Sequence, residues 1–412
     1  MINLFKIAIR NLIRYKRRTL LTASLITIGI VFVLVFVSIT GSFKAMIIGQ
    51  VTDSMMGHLQ IHRKGYVAAI DNLPLNLNMK PKAYAKIDTV LKADQEVESF
   101  SPRLKFGGMF SNFVETTNIR LNGIYPDREF QTVPLLTSRI SEGKKTLNRG
   151  EIIIPVLLAK GLKVKLGETV VIVATNTDGS VNGKQFIVSG ILESATGPGG
   201  RDGYIHIEDA AEVLRMPEAE VSEVAVRLKD FSRLTAAVKQ LETKVAGEVN
   251  KEGRPLFEVH SWEQLSPFFN IARMIDVMTF FIKIMLIAIV LISIMNVMIM
   301  AVYERIREIG TIAAIGTLPG KIRSMFIIEG LCLGVVGAII GDLIGIAVVV
   351  LINLIGIHFD FGQQKDLLLQ ATLQPSDLLT VSVIVIIVAV LASLQPAIKA
   401  SKMQPIEALR HT

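Results

Sequence analysis

Val302-Tyr303-Glu304-Arg305-Ile306-Arg307-Glu308-Ile309-Gly310-Thr311-Ile312-Ala313-Ala314-Ile315-Gly316 is the stretch whose reading decides this chain. It lies between two long apolar segments, which makes it a short polar link at one membrane surface. Ile306, Ile309, Ala313 and Gly316 recur at spacings of three and four, one stripe of a helix. Glu304 and Glu308 are four residues apart with Arg305 and Arg307 between them, so the charges alternate in sign. Two readings stand side by side. One is a solvated amphipathic connector. The other is a docking helix that receives force from a soluble partner, which needs a narrow small-residue stripe and charges of both signs to fix its register.

Composition agrees with a membrane setting. Half of the 412 residues are hydrophobic and the mean hydropathy is +0.49, high for a soluble chain of this length. The net charge of +8 would fit a nucleic-acid binder, but its placement argues against one. Lys6, Arg10, Arg14, Lys16, Arg17 and Arg18 crowd residues 1–18; Arg305, Arg307, Lys321 and Arg323 flank the link; Lys399, Lys402 and Arg410 close the chain. Basic residues beside apolar spans are a topology signal. Cys332 is the single cysteine, so no intramolecular disulfide forms. No complete phosphate-binding loop occurs, because Gly179–Gln185 has one spacer too few and Gln185 follows Lys184 where Ser or Thr is needed. ATP, if it drives this protein, binds another chain.

Taken in order, the basic segment 1–18 leads into a first span at 19–42, since about 20 apolar residues cross a bilayer. A cleaved signal peptide would have a shorter apolar core and a small-residue cleavage site. Residues 43–272 read as a water-soluble exported domain that opens helically over Phe43–Met56 and alternates at Gly57–Arg63. Further strands and helices follow, with a hairpin at the Asp178-Gly179 turn. The mixture predicts an α+β domain with a β-rich insert at about residues 100–215. A second span occupies 274–303, where Asp276 and Lys283 are expected to snorkel outward.

The link itself covers 304–321, and a third span covers 322–356. As one helix that span is about 50 Å long, so it tilts, kinks or projects from the bilayer. Gly330 and Gly334, then Gly337, Gly341 and Gly345, form ridges of small residues that let helices approach closely. Asp342 falls inside this span, where a carboxylate is costly and serves either structural pairing or function. An outer loop at 357–376, a fourth span at 377–398 and an inner tail at 399–412 complete four spans with both termini cytoplasmic. His58 and His62 are four apart, but no third ligand stands near them, so no metal site is expected. No catalytic motif is present, and no enzyme is expected on this chain.

Glu304-Arg305-Ile306-Arg307-Glu308-Ile309-Gly310 followed by Ala313 and Gly316 resembles the coupling segment of FtsX/MacB/Lol-type ABC transporter permeases. Gln395-Pro396-Ala397-Ile398-Lys399-Ala400-Ser401-Lys402-Met403-Gln404-Pro405-Ile406-Glu407-Ala408-Leu409-Arg410 resembles that family's C-terminus. The resemblance implies an inner-membrane protein in which two permease subunits, identical or homologous, pair in membrane lipid. Each docks a cytoplasmic ABC ATPase that carries the ATP and magnesium, and motion rather than substrate crosses the membrane. It assigns ATPase contact to Glu304, Arg305, Arg307 and Glu308, and a packed stripe to Ile309, Gly310, Ala313 and Gly316. Gly57-His58-Leu59-Gln60-Ile61 with Gly65-Tyr66 looks most like the lipoprotein-releasing members, which implies a lipoprotein substrate and a periplasmic carrier. The hairpin at 173–188 is shorter than the carrier-docking hook of that branch and lacks its proline. MacB-like efflux of peptides or lipophilic compounds, and FtsX-like signalling to a cell-wall hydrolase, are the alternatives.

Overall fold

The computed structural model describes residues 2–193, 198–249, 253–361 and 364–404, and its chain divides into two units. One comprises residues 1–45, 273–358 and 368–412; the other comprises 46–272 and 359–367. Pro405–Arg410, the end of the C-terminal motif, lie outside the described residues.

The chain opens with α1 (Ile2–Arg14), turns at Tyr15, and continues as α2 (Lys16–Val51). The elbow keeps its backbone bonds, since Tyr15 N–H donates to the Asn11 carbonyl and Thr19 N–H to the Tyr15 carbonyl. Thr19 Oγ1 also donates to the Leu12 carbonyl at 2.8 Å. The first span and the helical stretch expected after it are thus one rod that runs on to Val51.

The large α+β domain is a ten-stranded sheet with helices against it. In chain order its strands and two longest helices are β1 (Leu59–Arg63), α3 (Pro81–Ala93), β2 (Val97–Ser111), β3 (Thr116–Ile124), β4 (Ile140–Gly143) and β5 (Glu151–Pro155). There follow β6 (Thr169–Thr175), β7 (Val181–Leu192), β8 (Asp202–His206), β9 (Glu223–Leu228), α4 (Leu234–Ala246) and β10 (Phe257–Ser261). The strand order is β10-β1-β9-β2-β3-β8-β5-β7-β4, with β6 pairing β2 and β7.

The β-rich insert is therefore not a separate sheet. Strand β2 runs through both regions, pairing with β9 along Val97–Arg103 and with β3 along Arg103–Ser111. Two cores form on this shared sheet. Leu59, Ile61, Leu91, Val226, Leu241 and Trp262 make one beneath α3 and α4. Phe106, Phe110, Ile152, Ile172, Phe186 and Ile205 make the other in the β-rich region. The alternating apolar residues of β6, Val170, Ile172 and Ala174, point into that second core, as period-two patterning requires. The β6–β7 turn closes tightly: Asn176 N–H donates to the Ser180 carbonyl at 2.8 Å, and Gly179 takes φ +83°.

The helical unit continues with α5 (Phe268–Glu304), α6 (Ile306–Ala314) and α7 (Pro319–Ile355). The outer loop is more than a loop, because β11 (Ile357–Phe361) and β12 (Gln364–Leu369) pair as a two-stranded sheet before α8 (Pro375–Ser401). Among the described residues, four helices, α2, α5, α7 and α8, are long and apolar enough to cross a membrane.

The small residues of α7 serve two different neighbours. A Cβ added at Gly330 or Gly334 would sit 2.6 Å from Ser393 Cβ or 2.8 Å from Ala389 Cβ on α8. At Gly337, Gly341 and Gly345 it would meet Ile26, Ile30 and Leu34 on α2 at 2.5, 2.8 and 2.7 Å. Both partner sets repeat every four residues, so two glycine ridges lock α7 to α8 and to α2 at backbone contact distance. Asp276 does not simply snorkel. Lys44 Nζ donates to both of its carboxylate oxygens, at 2.7 and 2.6 Å, in an exposed pair that contributes little stability.

Candidate functional site

The stretch that opened the sequence analysis folds as a short helix held at both ends. Helix α5 stops at Glu304, and Arg305, at φ −109°, breaks the helical run before α6 begins. At the far end, Gly316 N–H donates to the Ala313 carbonyl at 3.0 Å and Thr317 N–H to the Ile312 carbonyl at 3.3 Å. This pair of bonds needs a left-handed residue, which Gly316 supplies at φ +94°. Gly316 is thus the stop of the helix and is exposed, not a member of the packed stripe. That stripe consists of Ile309 and Gly310, both buried, with Ile312 and Ala313 half-buried against the bundle core.

Arg305 departs most from the sequence-based expectation. It is 4 % exposed and faces inward, so it offers no surface to a partner. Its Nη1 donates to Glu329 Oε2 of α7 at 3.3 Å, and its Nε donates to Glu308 Oε2 at 3.1 Å. The guanidinium also lies over the rings of Tyr15, 5.4 Å away, and Phe326, 5.8 Å away. Tyr15 Oη in turn donates to Glu308 Oε1 at 2.9 Å, and Arg14 stands 3.9 Å from the same oxygen. One buried cation therefore gathers α6, α7 and the α1–α2 elbow.

The electrostatics follow from these contacts. Partial burial raises the cost of ionising Glu308, but the Tyr15 hydroxyl and the Arg305 and Arg14 guanidiniums outweigh it and hold its carboxyl below the usual range. The hydrogen bond to Glu308, together with burial, pushes the Tyr15 phenol up, so it remains the donor. At the same end of the bundle, Lys399 Nζ donates to Tyr303 Oη at 2.5 Å and lies 4.8 Å from that ring, joining α8 to α5.

The outward face of this region carries Glu304, Arg307, Ile315 and Leu318. Ile315 is 80 % and Leu318 64 % exposed, two large apolar side chains flanking the helix stop. Sequence periodicity pointed to neither. It also missed Tyr15, whose contact with Glu308 joins residues 293 positions apart. Glu329 falls near the start of the third span. A buried carboxylate one long helix away from an arginine is the signal that would have paired them.

The remaining expected residues have plainer roles. Ser382 Oγ donates to Asp342 Oδ2 at 2.5 Å, a bond from α8 to α7, while Asp342 Oδ1 is buried with no hydrogen-bond partner among the described residues. His58 Nδ1 accepts from Leu228 N–H at 3.0 Å and its Nε2 lies 3.5 Å from Asp53. His62 stacks on Tyr66 and lies 3.8 Å from Glu223. The two histidines thus belong to separate contacts. Among the described residues, no group of three or more His, Cys, Asp or Glu is placed to hold a metal.

Comparison with known proteins agrees with this architecture. Residues 19–244 match the MacB-like periplasmic core domain, and residues 280–405 match the FtsX-like permease C-terminal domain. The chain is 25 % identical over 414 residues to the lipoprotein-releasing system transmembrane protein LolC of Neisseria meningitidis serogroup B, covering 95 % of this chain and 94 % of that protein. It is 24 % identical over 310 residues to LolC of Xylella fastidiosa, covering 71 % and 72 % of the two chains. The crystal structure of the periplasmic region of MacB from Actinobacillus actinomycetemcomitans superposes with a TM-score of 0.35 at 12 % identity, over 52 % of this chain and 92 % of that one. The first domain match alone spans more than half of the sequence. This chain is a multi-pass membrane protein that belongs to the FtsX/MacB/LolC-type family of ABC transporter permeases.

Proposed function

We propose that this chain is the membrane subunit through which a separate cytoplasmic ABC ATPase drives lipoprotein release from the bacterial inner membrane. In this reading both termini and α6 face the cytoplasm, and the large domain is periplasmic. Two permease subunits, identical or homologous, pair and engage two ATPases. ATP and magnesium belong to the ATPases, and no catalysis occurs on this chain. Extensive similarity to proteins named for lipoprotein release supports the substrate class.

The observation that carries the reading is the contrast between the buried start of the link and its exposed stop. Inward, Arg305 clamps it to Glu329 and, through Glu308, to Tyr15. At the stop, beyond the end of α6, Ile315 and Leu318 are exposed apolar side chains, and Glu304 and Arg307 are exposed charges at the start of the link. Exposed apolar side chains and charges of both signs on one short link suit a docking site, and a clamped base lets a push on the link move α1, α2 and α7 together. In this scheme Glu304 and Arg307 set the register of docking, while Arg305 and Glu308 transmit the push. A periplasmic carrier would receive the lipoprotein, although the closed Asn176–Ser180 turn offers it little to grip.

The test is purification from native membranes in mild detergent. An ATPase should accompany the wild-type chain and be lost from the Ile315→Asp/Leu318→Asp double variant, which leaves the Arg305 contacts untouched. Undiminished co-purification would contradict the docking role. Co-purification of a cell-wall hydrolase in place of lipoprotein would favour the signalling alternative, and of an efflux adaptor the MacB-like one.

A further inference from the structure

We propose that the groove between the α1–α2 elbow and α7 binds an anionic phospholipid. The groove has a volume of about 810 Å³ and lies wholly within the helical unit. Phe5, Ile13 and Leu20 form one wall and Val335, Val336 and Ile340 the other, and all six are more than one-third exposed. Lys16 is the charged residue on its lining. Thr19, the other polar group there, already donates to the Leu12 carbonyl. An acyl chain fits such walls, and a phosphate fits the lysine at their edge.

Lys16 on the lining favours an anionic headgroup, and the net charge of the elbow adds to it. Lys6, Arg10 and Arg14 recur every four residues along α1, which places them on one face of an amphipathic helix, and Arg17 follows Lys16. No Asp or Glu occurs before Asp53, so nothing on the elbow neutralises this patch from within its own segment. Arg14 is the one of these cations that stands near Glu308. A second copy of the same chain would bring like charges together here, and a zwitterionic lipid would add a cation of its own. A phospholipid with a net negative headgroup satisfies both the walls and the patch.

The site is tested on the full-length chain by native mass spectrometry after incubation with phosphatidylglycerol or phosphatidylcholine of identical acyl chains. Phosphatidylglycerol should be retained about five-fold over phosphatidylcholine, the effect of roughly one lysine near a headgroup. Lys16→Ala, which removes the cation on the lining, should reduce that preference. Val336→Trp, a change on an exposed groove wall, should lower retention of both lipids. Equal retention of the two lipids by the wild-type chain would overturn the proposal, as would unchanged retention in both variants. Neither readout involves the ATPase, so a failure here leaves the proposed function standing, and a failure there leaves this site standing.

Discussion

Arg103 in the large domain and Arg305 in the helical unit are both buried arginines facing carboxylates, and the difference between them separates a staple from a joint. Arg103 Nε donates to Glu129 at 3.1 Å and its Nη1 donates to Glu223 at 2.9 Å, both carboxylates being enclosed. Lys105 adds a second cation to Glu223 at 3.1 Å. Arg103 and Glu223 sit on adjacent paired strands, β2 and β9, so the cluster holds one sheet together. Arg305 instead has one buried partner, Glu329, and one partly exposed partner, Glu308, and it gathers helices that are far apart in sequence. The same pairing chemistry holds one sheet in the first case and, in the proposed scheme, joins helices that move together in the second.

The sharpest way to break the comparison is Arg103→Leu. Two carboxylates would be left buried with less than their full charge balance, and the large domain should lose about 3–5 kcal/mol. Trp262, the only tryptophan, is buried in this domain and reports its unfolding by fluorescence. Arg305→Leu should cost less, about 1.5–3 kcal/mol, because Glu308 can turn to solvent and Glu329 loses one charged hydrogen bond. Its main effect should fall on transport. A loss of transport for Arg103→Leu in well-folded protein, or a global collapse for Arg305→Leu, would reverse the assignment of the two roles.

Acid sharpens the same contrast. Burial opposes ionisation of Glu223, yet Lys105, His62 and Arg103 outweigh it and hold the carboxyl well below the usual carboxylate range. In that pH region the unfolded chain binds the proton and the folded domain does not. The stabilisation is therefore complete above the ordinary carboxyl range and is lost as pH falls through it toward the folded value. Glu223→Gln should flatten the acid limb of a stability–pH curve followed by Trp262 fluorescence. An unchanged acid limb would show that Glu223 is not the group responsible.

The smallest effect should come from Tyr15→Phe. It removes one hydroxyl from Glu308 while leaving the ring beneath Arg305, so stability should change by about 1 kcal/mol or less. A slowing of release comparable to that of Arg305→Leu would move the centre of the joint from the arginine to the phenol.

The two regions were not equally legible in the sequence. The spans, the coupling stretch and the glycine ridges are local patterns, and Gly337, Gly341 and Gly345 announce a close helix contact without naming Ile26, Ile30 and Leu34 as the partners. Periodicity alone assigns Gly316 to a stripe, because a cap three residues beyond Ala313 fits the same spacing. Arg305 reads as a surface charge until Glu329 and Tyr15 are brought to it by tertiary packing. The single sheet of the large domain was hidden for a similar reason. Composition shifts between its two regions, but β2 crosses the shift as one strand. The β11–β12 pair was read as loop since a short segment between spans gives little pattern to resolve.

The most direct test of the account reconstitutes the chain with its ATPase in nanodiscs and measures ATP hydrolysis and lipoprotein release side by side for Arg305→Leu. The account predicts hydrolysis close to wild type with release reduced about ten-fold or more, the signature of an engine disconnected from its load. Release that keeps pace with hydrolysis in this variant would contradict it.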